Sequence, residues 1–220
     1  MVVYFANLST ERRADALLPE VRGLRTNVSS EKDALAILHR YGPQGPSVAS
    51  GFCVSTTAGR SVTLRNDTLN WLGQKSQILR PFGNRVWSVE VVVLTENGRL
   101  CSVLYLVQAL RSDGNWQVMV YAYDEGDSSS RMYSPSPYET SARVYKSMFE
   151  LRAKLTLSAT AEQRERALGF DLSCLARFGG CQQPCEILPS AWLDYQGEAH
   201  ENGWEIPPQE ISGRCKSLPP

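Results

Sequence analysis

An α+β protein built round a twisted antiparallel sheet is predicted from three features of this 220-residue sequence. In the stretch 85–125, Asn97-Gly98 and Asp113-Gly114 supply the positive φ angles that tight hairpins need, between runs rich in β-branched and aromatic residues. Those runs, 86–95, 100–110 and 116–123, read as a three-stranded meander. Two amphipathic helical patterns precede it. After Phe170 the periodicity fades while cysteine, proline and tryptophan become frequent. The expected architecture is a sheet of about four to six strands with two N-terminal helices and one long helix near 137–155. It divides into an α+β body (1–169) and a Cys-rich, loop-rich C-terminal arm (170–220).

The first helix is expected to start at Ser9 or Thr10, either of which can cap it, with Glu11 in the first turn. Ala14, Leu17, Leu18 and Val21 follow at helical spacing, and Gly23 is the stop. Ser30 with Asp33 starts a second helix whose stripe is Ala34, Leu35, Leu38 and Tyr41, ended by Gly42-Pro43. Pro43, Gly45 and Pro46 read as a loop. Short strands at 51–56 and 61–65 are expected to join at Ala58-Gly59, and 70–83 carries no regular pattern. In the meander, two-residue turns pair Val93 with Ser102, Val91 with Leu104 and Val89 with Leu106, then Tyr121 and Tyr123. Both faces are apolar, so layers are expected on each side, and the pattern does not exclude a one-residue slip. Ser88, Glu90 and Gln108 mark the end expected to form a wet pocket rim. Ser136-Pro137-Tyr138-Glu139 has the form of a helix start, followed by Val144, Met148, Leu151 and Leu155. Thr160 with Gln163 starts another short helix, ending at Gly169.

Lys+Arg 23 balance Asp+Glu 23, which leaves no basic field for nucleic acid. No hydrophobic run approaches the roughly 18–20 residues that span a bilayer. The N-terminal residues lack the basic flank and length of a signal peptide, so the chain is either cytoplasmic or stood downstream of a leader or anchor. Six cysteines, Cys53, Cys101, Cys174, Cys181, Cys185 and Cys215, favour disulfides in an oxidising, extracytoplasmic compartment over buried thiols in the cytosol. Spacing does not derive their connectivity. The expected arrangement pairs Cys53 with Cys101 between neighbouring strands and keeps the four late cysteines together. The runner-up for Cys174, Cys181, Cys185 and Cys215 is zinc, but only Cys181 and Cys185 have the separation of a ligand pair.

No catalytic constellation is legible. His39 and His200 are the sole histidines, and neither His-Glu-x-x-His nor the Gly-x-Ser-x-Gly elbow occurs; Gly45-Pro46-Ser47-Val48-Ala49 lacks a preceding strand. Phosphate-cradling glycine loops are absent too. Asp124, Glu125 and Asp127 do not match a calcium loop and read as a solvated turn. Trp192, Asp194 and Tyr195 read as a short helix anchoring the arm, against the alternative of a recognition patch. No catalytic, cofactor-binding or metal residue is assigned, and no cofactor is expected.

The segments Phe170-Asp171-Leu172-Ser173-Cys174-Leu175, Gly180-Cys181 and Pro184 to Trp192 resemble uncharacterised exported or membrane-anchored proteins of soil bacteria. The resemblance covers mainly this C-terminal block and implies an extracytoplasmic location, periplasmic or secreted, without implying an activity. The helix over 24–42 with the strands after it is similar in outline to the start of small outer-membrane assembly lipoproteins of the β-lactamase-inhibitor-like fold, from which no function carries over. The function expected is a non-catalytic binding or interaction domain for an unknown protein or small ligand. The alternative is a carrier or enzyme with a pocket in the concave sheet, as in nuclear-transport-factor-like cones, using Glu90, Tyr105 or His39.

Overall fold

The computed structural model describes residues 2–47, 53, 58–65, 86–110, 117–125, 136–145, 147–177 and 180–202. Helices α1 (Val2–Arg22) and α2 (Glu31–Tyr41) lead into strands β1 (Gly45–Ser47), β2 (Ala58–Leu64), β3 (Trp87–Glu96), β4 (Arg99–Leu110) and β5 (Gln117–Glu125). Strands β6 (Tyr138–Tyr145) and β7 (Met148–Leu155) follow, then helices α3 (Ala161–Leu168), α4 (Ser173–Ala176) and α5 (Pro189–Asn202), with a 3-10 turn at Pro184–Glu186. The seven strands form one open sheet in the order β1-β2-β3-β4-β5-β7-β6. All neighbours are antiparallel except β5 and β7, which run parallel because β6 goes out to the edge and β7 returns between it and β5.

The expected meander is present, with a corrected register. Asn97 and Gly98 both have positive φ, 52° and 74°, and close a two-residue turn between Glu96 and Arg99. Cys101 then has no opposite residue: Thr95 pairs with Leu100, Leu94 with Ser102. This bulge moves every later pair by one, so Val93, Val91 and Val89 face Val103, Tyr105 and Val107. The second turn lies outside the described residues, and the Leu110–Gln117 pairing is symmetric about Asp113-Gly114. The bulge also points Cys101 away from the main core, into a small cluster with Val92, Leu94, Leu104 and Cys53. There Cys101 is bridged to Cys53, Cα atoms 6.1 Å apart.

The other face is the core. Val89, Val91, Val93, Val103, Tyr105, Val107, Val118 and Val120 are buried there beneath the helices, as are Ala14, Leu17, Leu18 and Val21 of α1. Helix α1 begins at Val2, well before the expected cap at Ser9 or Thr10, which are interior helix residues. Pro19 is accommodated because it sits on the exposed side of the last turns. Helix α2 starts as expected: Ser30 Oγ accepts from the Asp33 amide at 3.2 Å. Two further expectations are corrected. Gly45–Ser47 is an edge strand rather than a loop, a place where Pro46 loses no ladder bond if its nitrogen faces outward. Ala58 and Gly59 are the first residues of β2, not a turn. The strand expected at 51–56 and the segment 70–83 lie outside the described residues, apart from Cys53.

The long helix expected over 137–155 is instead the β6–β7 hairpin. Phe149, Leu151, Ala153 and Leu155 are all buried on the core face, while Met148, Glu150, Arg152 and Lys154 point the other way. That period of two lies in the same residues as the helical spacing of Met148, Leu151 and Leu155, and the pairing of β7 with β5 decides between them. Ser136 does cap the segment, but a strand: its hydroxyl donates to the Tyr138 carbonyl at 2.6 Å and accepts from the Tyr138 amide at 3.4 Å.

The C-terminal region is less loop-rich than expected, since α5 runs for 14 residues. Leu172, Leu175, Ile187, Leu188, Ala191, Trp192, Tyr195 and Ala199 belong to the same buried cluster as the sheet. Cys174 is bridged to Cys181, and Cys185 is disulfide-bonded as well; Cys215 lies outside the described residues. In this state Cys174, Cys181 and Cys185 offer no thiolate to a zinc ion.

One buried carboxylate in α1 sets a pH response. Burial, and after it the Asp15 carboxylate, pushes Glu11 up to about 6, with Arg12 opposing and Asp171 adding to the shift. Its Oε2 has no hydrogen-bond partner among the described residues. A carboxyl that holds its proton more tightly when folded makes stability fall as pH rises, here between the ordinary 4.5 and about 6. Glu11→Gln is expected to stabilise the protein by on the order of 1 kcal/mol at neutral pH and to lose that advantage near pH 4.5. Urea unfolding of both proteins across that range checks it.

Candidate functional site

β6 is the outer strand at one end of the sheet, and among the described residues no strand pairs with its outer side. Thr156 donates its amide to the Pro137 carbonyl at 3.0 Å, which fixes the phase of the ladder. Residues 137, 139, 141, 143 and 145 therefore bond to β7, and the backbone groups of 138, 140, 142 and 144 point outward. Tyr138 is closed by the Ser136 hydroxyl. The outward amides and carbonyls of Thr140, Ala142 and Val144 make no hydrogen bond among the described residues. Val144 and Tyr145, at the far end, are 43% and 56% exposed.

Beneath the first half of the strand, α5 holds it down through polar contacts. Tyr138 Oη donates to Asp194 Oδ2 at 2.8 Å, and Arg166 of α3 grips the same carboxylate with Nε at 2.9 and 3.1 Å and with Nη2. Burial first, then the bond to Asp194, raises the Tyr138 hydroxyl far above the ordinary tyrosine range, so it remains a donor. Thr140 Oγ1 donates to Glu198 Oε2 at 3.4 Å. A cleft of about 550 Å³ opens between these groups and Glu162.

The opposite face carries a charged row. Glu150 is 2% exposed, and Arg143 reaches it with Nε at 3.0 Å and Nη2 at 3.2 Å, while Arg152 pairs with it from the same strand. Two guanidiniums offset the desolvation of one carboxylate, and both keep a solvent-facing edge. Arg152 also lies 5.5 Å from the Tyr121 ring centroid, and Tyr121 stacks on Tyr123 with centroids 6.0 Å apart. Toward the other end of this row, Glu139 stands opposite Lys154.

The residues expected to rim a pocket are brought together but as part of the sheet surface. Ser88 pairs with Gln108, Glu90 lies two residues along on the same face, and Gln117 Nε2 donates to Gln108 Oε1 at 3.3 Å. Glu90, Tyr105 and His39, which a concave catalytic pocket was expected to use, occupy three different surfaces. Glu90 faces away from the core, Tyr105 is buried within it against Phe170, and His39 is exposed on α2. His200 is exposed on α5. Asp124 is buried in an ion pair with Arg164 at 2.6 Å rather than lying in a solvated turn; Asp127 is outside the described residues. Trp192 and Tyr195 are buried, which supports the anchoring reading over a recognition patch.

The β6 edge was missed in the sequence because its helix-start signature and helix-forming residues concealed it. The signal that could have found it is alternation: Tyr138, Thr140, Ala142 and Val144 against Glu139, Ser141, Arg143 and Tyr145. No protein-family model matches this chain, and neither does any curated protein or solved structure. Among the described residues, no helix is long and apolar enough to cross a membrane.

Proposed function

We propose that the protein is a non-catalytic, extracytoplasmic interaction domain that binds another polypeptide by adding a strand to β6. One observation carries this reading: the unbonded outward backbone of Thr140, Ala142 and Val144, flanked by exposed Val144 and Tyr145. A strand edge of this kind is a ready template for main-chain pairing, and natural proteins usually blunt it. Here Ser136 blunts the first position and Thr140 is 7% exposed, while Ala142 and Val144 are more open. The disulfides support an oxidising compartment. Against the carrier or enzyme alternative stands the open sheet, with β1 at one edge and β6 at the other, in place of a closed cone.

Ala142→Pro separates the reading from a merely structural role. The Ala142 amide points outward, so proline there removes an edge donor without breaking a β6–β7 bond. The variant is expected to keep the native melting temperature to within a few degrees and to lose a partner that wild type retains. In wild type, a photoreactive side chain at position 144 is expected to label that partner. Equal retention by the two proteins, with no label at 144, overturns the proposal.

A further inference from the structure

We infer that the strand added to β6 is the β6 strand of a second copy, paired antiparallel about a two-fold axis through Ser141. The inference rests on the interaction reading above and supplies its partner. The phase of the ladder restricts the choices first. Only residues 138, 140, 142 and 144 have outward backbone groups, so an even-numbered residue must pair with an even-numbered one across the axis. The pairing centred on Ser141 sets Thr140 opposite the partner's Ala142 and Ala142 opposite the partner's Thr140. Four main-chain hydrogen bonds form there with Ser136 left in place. Tyr138 then comes opposite the partner's Val144, which covers one of the exposed apolar side chains.

Charge selects this register among those the phase allows. Centred on Ser141, Glu139 lies directly opposite the partner's Arg143, and Arg143 opposite the partner's Glu139. Centring on Thr140 or Ala142 sets neither opposite a charged residue of the other copy, and centring on 139 or 143 sets like charges face to face. Within each copy Glu139 stands beside Lys154, and Arg143 beside Glu150. The assembled face therefore reads Lys154, Glu139, the partner's Arg143, the partner's Glu150, with the sign alternating at every step, and the same row repeats in reverse. Cross-strand pairs of opposite charge stabilise a sheet and like pairs oppose it. Arg143 already uses Nε and Nη2 on its own Glu150, which leaves Nη1 to meet the incoming carboxylate. An isologous contact of this kind closes after two copies and consumes both β6 edges.

Sedimentation of the intact chain tests this. Wild type is expected to be dimeric at high concentration. Glu139→Arg and Arg143→Glu should each weaken the dimer by about tenfold or more, and the double variant should recover most of it. Because Arg143→Glu also sets a carboxylate beside Glu150, a second measurement is independent of charge. Ser141 is exposed and meets its own symmetry mate at a non-hydrogen-bonded position, where Cα atoms approach to about 4.5 Å. Ser141→Cys should therefore give a reductant-sensitive covalent dimer, and Ser147→Cys, exposed beyond the strand, should not. Wild type that stays monomeric at every concentration overturns the self-pairing. So does equal cross-linking at 141 and 147. If such a monomer still loses a captured protein on Ala142→Pro, the edge-pairing function stands and only the identity of the partner falls.

Discussion

Removing the Cys53–Cys101 bridge, by Cys53→Ala together with Cys101→Ala, is expected to lower the unfolding free energy by about 4 kcal/mol. The bridge joins residues 48 positions apart, so it withdraws a long loop from the freedom of the unfolded chain. The Cys174–Cys181 bridge spans 7 positions, and its loss should cost less, about 2.5 kcal/mol by the same reasoning. The order of the two effects is the discriminating point, because Cys174 and Cys181 are both buried while Cys53 is only partly so, and burial alone would rank the bridges the other way. Chemical denaturation of the two double variants without reductant reads it directly. A larger loss at Cys174–Cys181 would mean that local packing, not chain entropy, governs these bridges. The first bridge also explains the bulge at Cys101: the extra residue puts its sulfur on the face where Cys53 lies.

The second large effect is at Trp192. Its ring packs edge-on against Phe149 of β7, centroids 5.5 Å apart, and lies 5.6 Å from Tyr195. Trp192→Ala is expected to destabilise the protein by about 3–5 kcal/mol, through lost transfer energy and the cavity left under α5. It should do so in a single transition that includes the sheet, because the residues touched by α5 belong to the same buried cluster as β3, β4 and β5. Hydrogen exchange on the variant checks this. Loss of protection in 170–202 with β3–β5 unchanged would show the C-terminal region to be a separable unit, laid on a body that is stable without it.

Much of this fold is legible in the residues because local chemistry decided it. Asn97-Gly98 adopts the positive φ angles that its composition announces, Ser30 and Thr160 cap the helices they precede, and the stripe Ala14, Leu17, Leu18, Val21 is the buried face of α1. The candidate site was not legible. Its strand begins with Ser-Pro-x-Glu, a helix signature, and continues with residues whose helical and strand spacings coincide at Leu151 and Leu155.

The sequence by itself determined the α+β class, the position of the central strands and the helix caps. Each depends on contacts within a few residues or on chemistry that a side chain carries anywhere. Only the tertiary structure decided the register of β4, the strand state of 138–145 and 148–155 and the place of β6 at the end of the sheet. A one-residue bulge costs little when both faces of a strand are apolar, so it becomes visible only once Cys101 has a bridge to make and Val103 a core to enter. Likewise, 148–155 becomes a strand because the edge of β5 offers it a parallel partner that buries Phe149, Leu151, Ala153 and Leu155. That neighbour is far away in the chain, and no local pattern records it.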